Sequence, residues 1–151
     1  MLCAMCRKSD MLCSGCQQKL DRGEISQTDV ELVRAINKIQ LDAEFIRSVE
    51  NGRKIYIVAK KEDSKKLVGR QGKNVNQLSN LLKKDIQIVK DEEEKKMIEN
   101  ILSIPIIAIN IIYSSGETRK IRIEKSFRSK LKADESDLEK IFGKKYKIVF
   151  E

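Results

Sequence analysis

Apolar and polar positions along the chain alternate between two periods. From Thr28 to Leu41, Val30, Val33, Ile36, Asn37 and Leu41 fall at helical spacing, with Ser26 or Thr28 available as an N-cap. Phe45 to Val49 and Lys54 to Ala59 then read as strands. Between them Asn51-Gly52 accepts positive φ and suits a tight hairpin. Ser64 to Val68 reads as a short helix, Gly69 to Gly72 as a turn, and Lys73 to Lys83 as a helix with Val75, Leu78 and Leu82 inward. Ile86 to Val89 is a closing strand.

The same order recurs downstream. A helix from Glu92 to Leu102 precedes strands Ile106–Tyr113 and Arg119–Glu124 around Ser114-Ser115-Gly116, then two short helices and a strand Tyr146–Phe150. Gly52 and Gly116 stand 64 residues apart, and Lys66-Leu67 matches Lys130-Leu131 at the same offset. That register places Gly69-Arg70-Gln71-Gly72 over Ala133-Asp134-Glu135-Ser136, a copy without the glycines. The predicted class is α+β in three segments: a cysteine-rich head over 1–25, a first unit over 26–90 and a degenerate second unit over 91–151.

At 151 residues and 40% hydrophobic content the chain is able to bury a core. Its longest apolar stretch, Ile104 to Tyr113, is far short of the ~20 residues that span a bilayer. The N-terminus lacks the basic and apolar regions of a secretory signal, so a cytoplasmic protein without membrane association is predicted.

Charge is uneven: of the net +8, residues 51–90 carry eleven basic and three acidic side chains. A solvated face explains many basic segments, but here the excess surrounds a glycine loop and points to a polyanionic partner. Histidine is absent, which removes the commonest general base, and no catalytic constellation or small-molecule substrate site stands out. The acidic run Asp91 to Glu94 fits a helix N-terminus. A Walker A phosphate loop is excluded, because Leu67 and Asn74 stand where glycine and Ser or Thr are required. A non-enzymatic protein is predicted.

A GxxG turn between two helices lets the chain reverse sharply and brings its backbone within contact distance of a ligand. Amides opening the following helix favour an anion, with Arg70 and Lys73 beside them. By itself GxxG also marks an ordinary helix corner. The order helix, strand, strand, helix, GxxG, helix, strand, together with VGRQGKNVNQLSNLL, closely resembles the type II KH signature. Over 28–150 the chain resembles the archaeal NusA-like proteins, which carry tandem KH domains and are associated with transcription and RNA. The resemblance is strong over 55–90 and weak over 106–150.

It implies a first KH unit that clamps about four nucleotides of single-stranded RNA. Gly69, Arg70, Gln71, Gly72 and Lys73 would take the phosphates, and Val68, Val75 and Ile88 would line the groove for bases. RNA polymerase or the ribosome would be the larger partner. Asp134 and Glu135 would repel phosphate in the second unit, although Arg119, Lys120, Arg122, Lys125, Arg128, Lys130 and Lys132 offer a basic stretch around it. Aromatics are only 5% with no Trp, so stacking platforms are scarce and strong base selectivity is not expected.

All four cysteines lie in CAMCRKSDMLCSGC, as Cys3-x-x-Cys6 and Cys13-x-x-Cys16. Two such pairs suit tetrahedral thiolate coordination of one structural Zn²⁺ and leave no open position for catalysis. Disulfides or a redox CxxC are the alternatives; a cytoplasmic setting disfavours the first and the absence of a thioredoxin-like pattern the second. With zinc bound the net charge falls to about +6. Two readings of function stand: an RNA-binding factor acting at the GxxG loop, and a zinc-headed protein-interaction adaptor on a KH scaffold.

Overall fold

The computed structural model describes residues 1–114 and 116–151; Ser115, placed in a hairpin turn above, lies outside them. The chain is α+β and divides into two compact units, Met1–Lys90 and Asp91–Glu151. Among the described residues no helix is long and apolar enough to cross a membrane.

The first unit opens with two short helices, α1 (Ala4–Lys8) and α2 (Ser14–Asp21), followed by α3 (Gln27–Lys38). Helix α3 buries Val30, Leu32, Val33, Ala35 and Ile36. Ser26 is its N-cap and forms a reciprocal capping box with Asp29. Strand β1 (Arg47–Asn51) pairs antiparallel with β2 (Lys54–Ala59), and β2 pairs parallel with β3 (Asp85–Lys90). Because Asn51 is itself paired with Lys54, the turn is Gly52-Arg53 rather than Asn51-Gly52. Of these two only Gly52 has positive φ, +64°, the pattern of a hairpin with glycine at its first central position.

Parallel pairing of β2 with β3 requires a long crossover. It consists of α4 (Lys61–Val68), a 3₁₀ turn at Arg70–Gly72 and α5 (Lys73–Leu82). Alternation along the strands sends Ile55, Ile57 and Ala59 to the helix side, where they pack with Leu32 and Ile36 of α3, Leu67 of α4 and Leu78 of α5. Ile86, Ile88 and Leu82 pack partly buried at the margin of that core.

In the second unit, α6 (Glu94–Leu102) buries Met97, Ile98, Ile101 and Leu102. Strand β4 (Ala108–Ile112) pairs antiparallel with β5 (Thr118–Ile123), which pairs parallel with β6 (Lys145–Phe150). The crossover differs from the first: its leading segment is a 3₁₀ turn, Lys125–Lys130, and α7 (Glu135–Phe142) follows.

The 64-residue register does not persist through the second unit. Lys54 and Thr118 keep it, but Asp85 and Lys145, which open the closing strands, are only 60 apart. Four residues are missing from the crossover. Asp134 is consequently the N-cap of α7, in a capping box with Asp137, and not part of a turn between two α-helices.

Asp29 ties the helix layer of the first unit to its sheet. Its side chain is 6% exposed; Oδ2 accepts from the Ser26 amide at 2.9 Å, while Oδ1 accepts from the Ser48 amide at 3.1 Å and from the Ser48 hydroxyl. Asp29→Ala breaks the capping box and leaves the half-buried Ser48 donors without their acceptor, so it should lower the unfolding free energy by about 2 kcal/mol in urea titration. A loss below about 0.5 kcal/mol, ordinary for a surface site, would refute this role.

Candidate metal centre and nucleic-acid interface

Cys3 and Cys13 are the N-cap residues of α1 and α2, and Cys6 and Cys16 lie in the first turns. The two CxxC segments fold alike, and each uses its leading amide to grip the other. Cys3 N–H donates to Cys16 Sγ at 3.5 Å, and Cys13 N–H donates to Cys6 Sγ at 3.1 Å. All four sulfurs lie within 4.8 Å of one another and none is in a disulfide, with Cys3 and Cys13 Sγ 4.0 Å apart. Zinc–sulfur bonds of about 2.3 Å in a tetrahedron place sulfurs ~3.8 Å apart, so the set fits a four-thiolate ion.

Ionisation is divided between outer and inner sulfurs. Exposed Cys3 is lowered to about 6, first by a hydrogen bond from the Cys6 backbone N–H. Cys13 is lowered too, by the Cys16 backbone N–H first. For Cys6 the Cys13 amide acts downward, but burial and hydrogen bonding to the other three thiols outweigh it and push it up to about 12. Four sulfurs this close cannot all carry charge without a cation between them.

Buried Cys6 and Cys16 share an apolar cluster with Leu2, Ile25, and Val30 and Val33 of α3. The cysteine head is therefore built onto α3.

Around the glycine loop, Gly69 closes α4 with φ +74° and ψ 178°, a region open only to glycine, and its amide donates to Lys65 O at 2.9 Å. Gln71 (φ +55°, ψ 29°) and Gly72 (φ +75°, ψ 16°) are left-handed, which reverses the chain into α5. No side chain caps α5 and its first turn holds no acidic residue. Arg70, Gln71 and Lys73 are exposed, as are Lys65 and Lys66 in the last turn of α4. The outcome is a sharp corner with cations around the positive end of a ten-residue helix.

Of the three aliphatic residues expected to line a groove, Val68 is 37% exposed beside the loop and Val75 is half-buried in the first turn of α5. Ile88 is half-buried on the helix side of edge strand β3, packed against the core. One residue was missed. Asn74 Nδ2 donates to Lys66 O at 2.7 Å, fastening α5 to the end of α4 across the turn. No local signal marked it, because Lys66 stands eight residues earlier and comes within reach only once α4 and α5 are folded together.

The basic stretch of the second unit does not form one patch. Strand alternation turns Arg119 to the helix side, where it is 12% exposed, lies 3.1 Å from Glu94 and pairs with Glu117. Arg122 is held by Glu151 at 2.6 and 2.9 Å.

A Cβ built on Gly69 would lie 2.7 Å from the Asn74 side chain, whereas one on Gly72 meets nothing closer than 3.7 Å. Gly69→Ala should therefore cost about 2–3 kcal/mol, from strain plus collision, and Gly72→Ala about 1 kcal/mol, from strain alone. Equal losses in parallel urea titrations would contradict the close approach of Asn74.

No family model matches the chain, and no curated protein matches it. Among solved structures it is similar to the crystal structure of APE1850, with a TM-score of 0.67 and 16% identity, over 84% of this chain and 100% of that one. At that identity the likeness concerns the fold alone.

Proposed function

We propose that the protein binds single-stranded RNA through Gly69–Lys73, as a type II KH module of the NusA-like kind, with one structural zinc in the cysteine head. The observation that carries this reading is the corner itself. Two glycines and Gln71 hold positive φ together, in front of an uncapped helix and among exposed cations. Such a backbone can approach a phosphodiester chain closely, and its amides and cations satisfy the charge. The element order around it is that of a type II KH unit. Acting in transcription or at the ribosome belongs to the same reading and rests on the family resemblance. The second unit repeats the sheet pattern but has a shortened crossover and a carboxylate-capped α7. In this reading it serves as a KH-shaped spacer or protein-docking unit.

Replacing Arg70 and Gln71 together with Asp should weaken binding of a short single-stranded RNA at least ~10-fold while the melting temperature holds, because both side chains are exposed. Arg70→Ala or Lys73→Ala should each flatten the dependence of log affinity on log salt by up to about 0.7. Unchanged affinity in a folded double variant would move the RNA site elsewhere and favour the adaptor reading.

Purified protein should contain one zinc per chain by elemental analysis. Chelation should speed amide exchange over 1–25 and also at the start of α3, because Cys6 and Cys16 share a cluster with Val30 and Val33. Metal-free protein with oxidised thiols would overturn the zinc assignment.

A further inference from the structure

Among the described residues, two three-stranded sheets have four edge strands: β1, β3, β4 and β6. An edge offers unpaired N–H and C=O groups, which proteins usually guard with charge, proline or a bulge. Strand β1 carries Arg47 and Glu50, β3 carries Asp85 and Lys90, and β6 carries Lys145 and Lys147. Strand β4, with the sequence Ala-Ile-Asn-Ile-Ile, carries no charge. In a chain that is 36% charged, no Asp, Glu, Lys or Arg occurs anywhere from Ile101 to Gly116. Pro105 lies outside the strand, and the register with β5 runs unbroken from Ala108↔Arg122 to Ile112↔Thr118; only ahead of the strand does the Ile107 amide also reach Arg122 O, at 2.8 Å. Its side chains are also uncovered: Ile107 is 47% exposed, Ile111 45%, Ile112 38% and Tyr113 73%.

We propose that β4 is a self-association edge, on which the β4 of a second copy pairs antiparallel about a two-fold axis and joins two three-stranded sheets into one of six. The strand is complementary to itself. With the axis at Asn110, Ile109 stands opposite the copy's Ile111 and Ala108 opposite Ile112, while Asn110 meets its own amide. Every cross-strand pair is then apolar with apolar or amide with amide.

Charge also favours a second copy here. At net +8, two chains repel through most of their surfaces, but not through this one. Cations stand one strand back, on β5, where Lys120 pairs with Asn110 and Arg119 and Arg122 are held by carboxylates. Three strand spacings separate the two β5 strands, ~14 Å, beyond the screening length of about 8 Å at physiological salt. A foreign charged strand would gain no ion pair from β4 itself. A single-strand junction of this size belongs to the small, weak class of interfaces, with dissociation in the micromolar range.

Sedimentation equilibrium of the metal-loaded full chain, from about 1 to about 200 µM at physiological salt, tests this directly. The 17.4 kDa monomer should convert to a dimer as concentration rises. Amide exchange over 109–113 should slow in parallel. Ile111→Lys and Ile112→Lys, both at exposed positions on opposite faces of the strand, should each weaken the dimer at least ~10-fold with unchanged circular dichroism and melting. Asn110→Asp and Asn110→Lys should each dissociate it, and an equimolar mixture of the two should restore a dimer across the axis. The proposal fails if the wild type stays monomeric throughout, whether because the edge serves a different protein or none. It fails equally if a dimer forms but survives both lysine substitutions, or if the Asp and Lys variants do not complement each other. None of these outcomes depends on RNA binding.

Discussion

The parallel pairing of β2 with β3 is the constraint from which the candidate site follows. A parallel neighbour cannot be reached by a hairpin, so the chain must cross the sheet and return. It does so over residues 60–84, in two helices too short to be stable without the sheet beneath them. Leu67 and Leu78 pin one helix each to the core, which leaves the corner between them to face outward. In that corner Arg70 and Gln71 are exposed and Gly69 and Gly72 half-buried. The second unit obeys the same pairing with a crossover four residues shorter. Its leading segment tightens to a 3₁₀ turn and α7 begins at a carboxylate cap, so the same sheet pattern yields a helix entrance that already carries negative charge.

The cysteine head is coupled to this scaffold through α3. Cys6 and Cys16 pack on Val30 and Val33, while Leu32 and Ile36 of the same helix belong to the core beneath the sheet. Asp29, one turn from those contacts, binds Ser48 of β1; Thr28 beside it donates to Glu50, which also pairs with Lys84 beyond α5. A cation that draws four thiolates together would thus also order the start of α3. By linkage, binding that requires this folded arrangement stabilises it.

Much of this was legible in the chain because the signals were local. Two CxxC pairs, a Ser26 cap, a glycine at a hairpin and apolar residues at helical or strand period each specify short-range geometry. What was not legible depended on pairing across distance. Arg119 and Lys120 add equally to a basic count, yet adjacent strand positions face opposite sides, and Arg119 ends beside Glu94. The 64-residue register was anchored on a hairpin before β5 and on Lys130-Leu131 early in the shortened connection, so its failure by β6 had no local mark. Asn74 looked unremarkable until the fold brought Lys66 O within reach.

Backbone strain separates the glycine corner from the other turns. Four non-glycine residues among those described have positive φ: Gln40, Gln71, Lys83 and Ser103. Lys83 and Ser103 are the C-caps of α5 and α6, and Gln40 follows the C-cap of α3, where a left-handed residue commonly ends a helix. Gln71 instead lies between two helices, flanked by left-handed Gly72 and by Gly69 in a conformation closed to other residues. The two glycines take positive φ freely, so the cost falls on Gln71 alone, on the order of 1 kcal/mol, and it persists only where the surroundings enforce it. Here the Asn74 bond to Lys66 O and the Gly72 amide bond to Gly69 O, at 3.3 Å, do so. Gln71 adds nothing to the core, being exposed, so the cost is met at a place whose only product is an outward-facing turn of backbone. In the RNA-binding reading proposed above, this exposed corner with its neighbouring cations is the part of the fold that a phosphodiester chain would use.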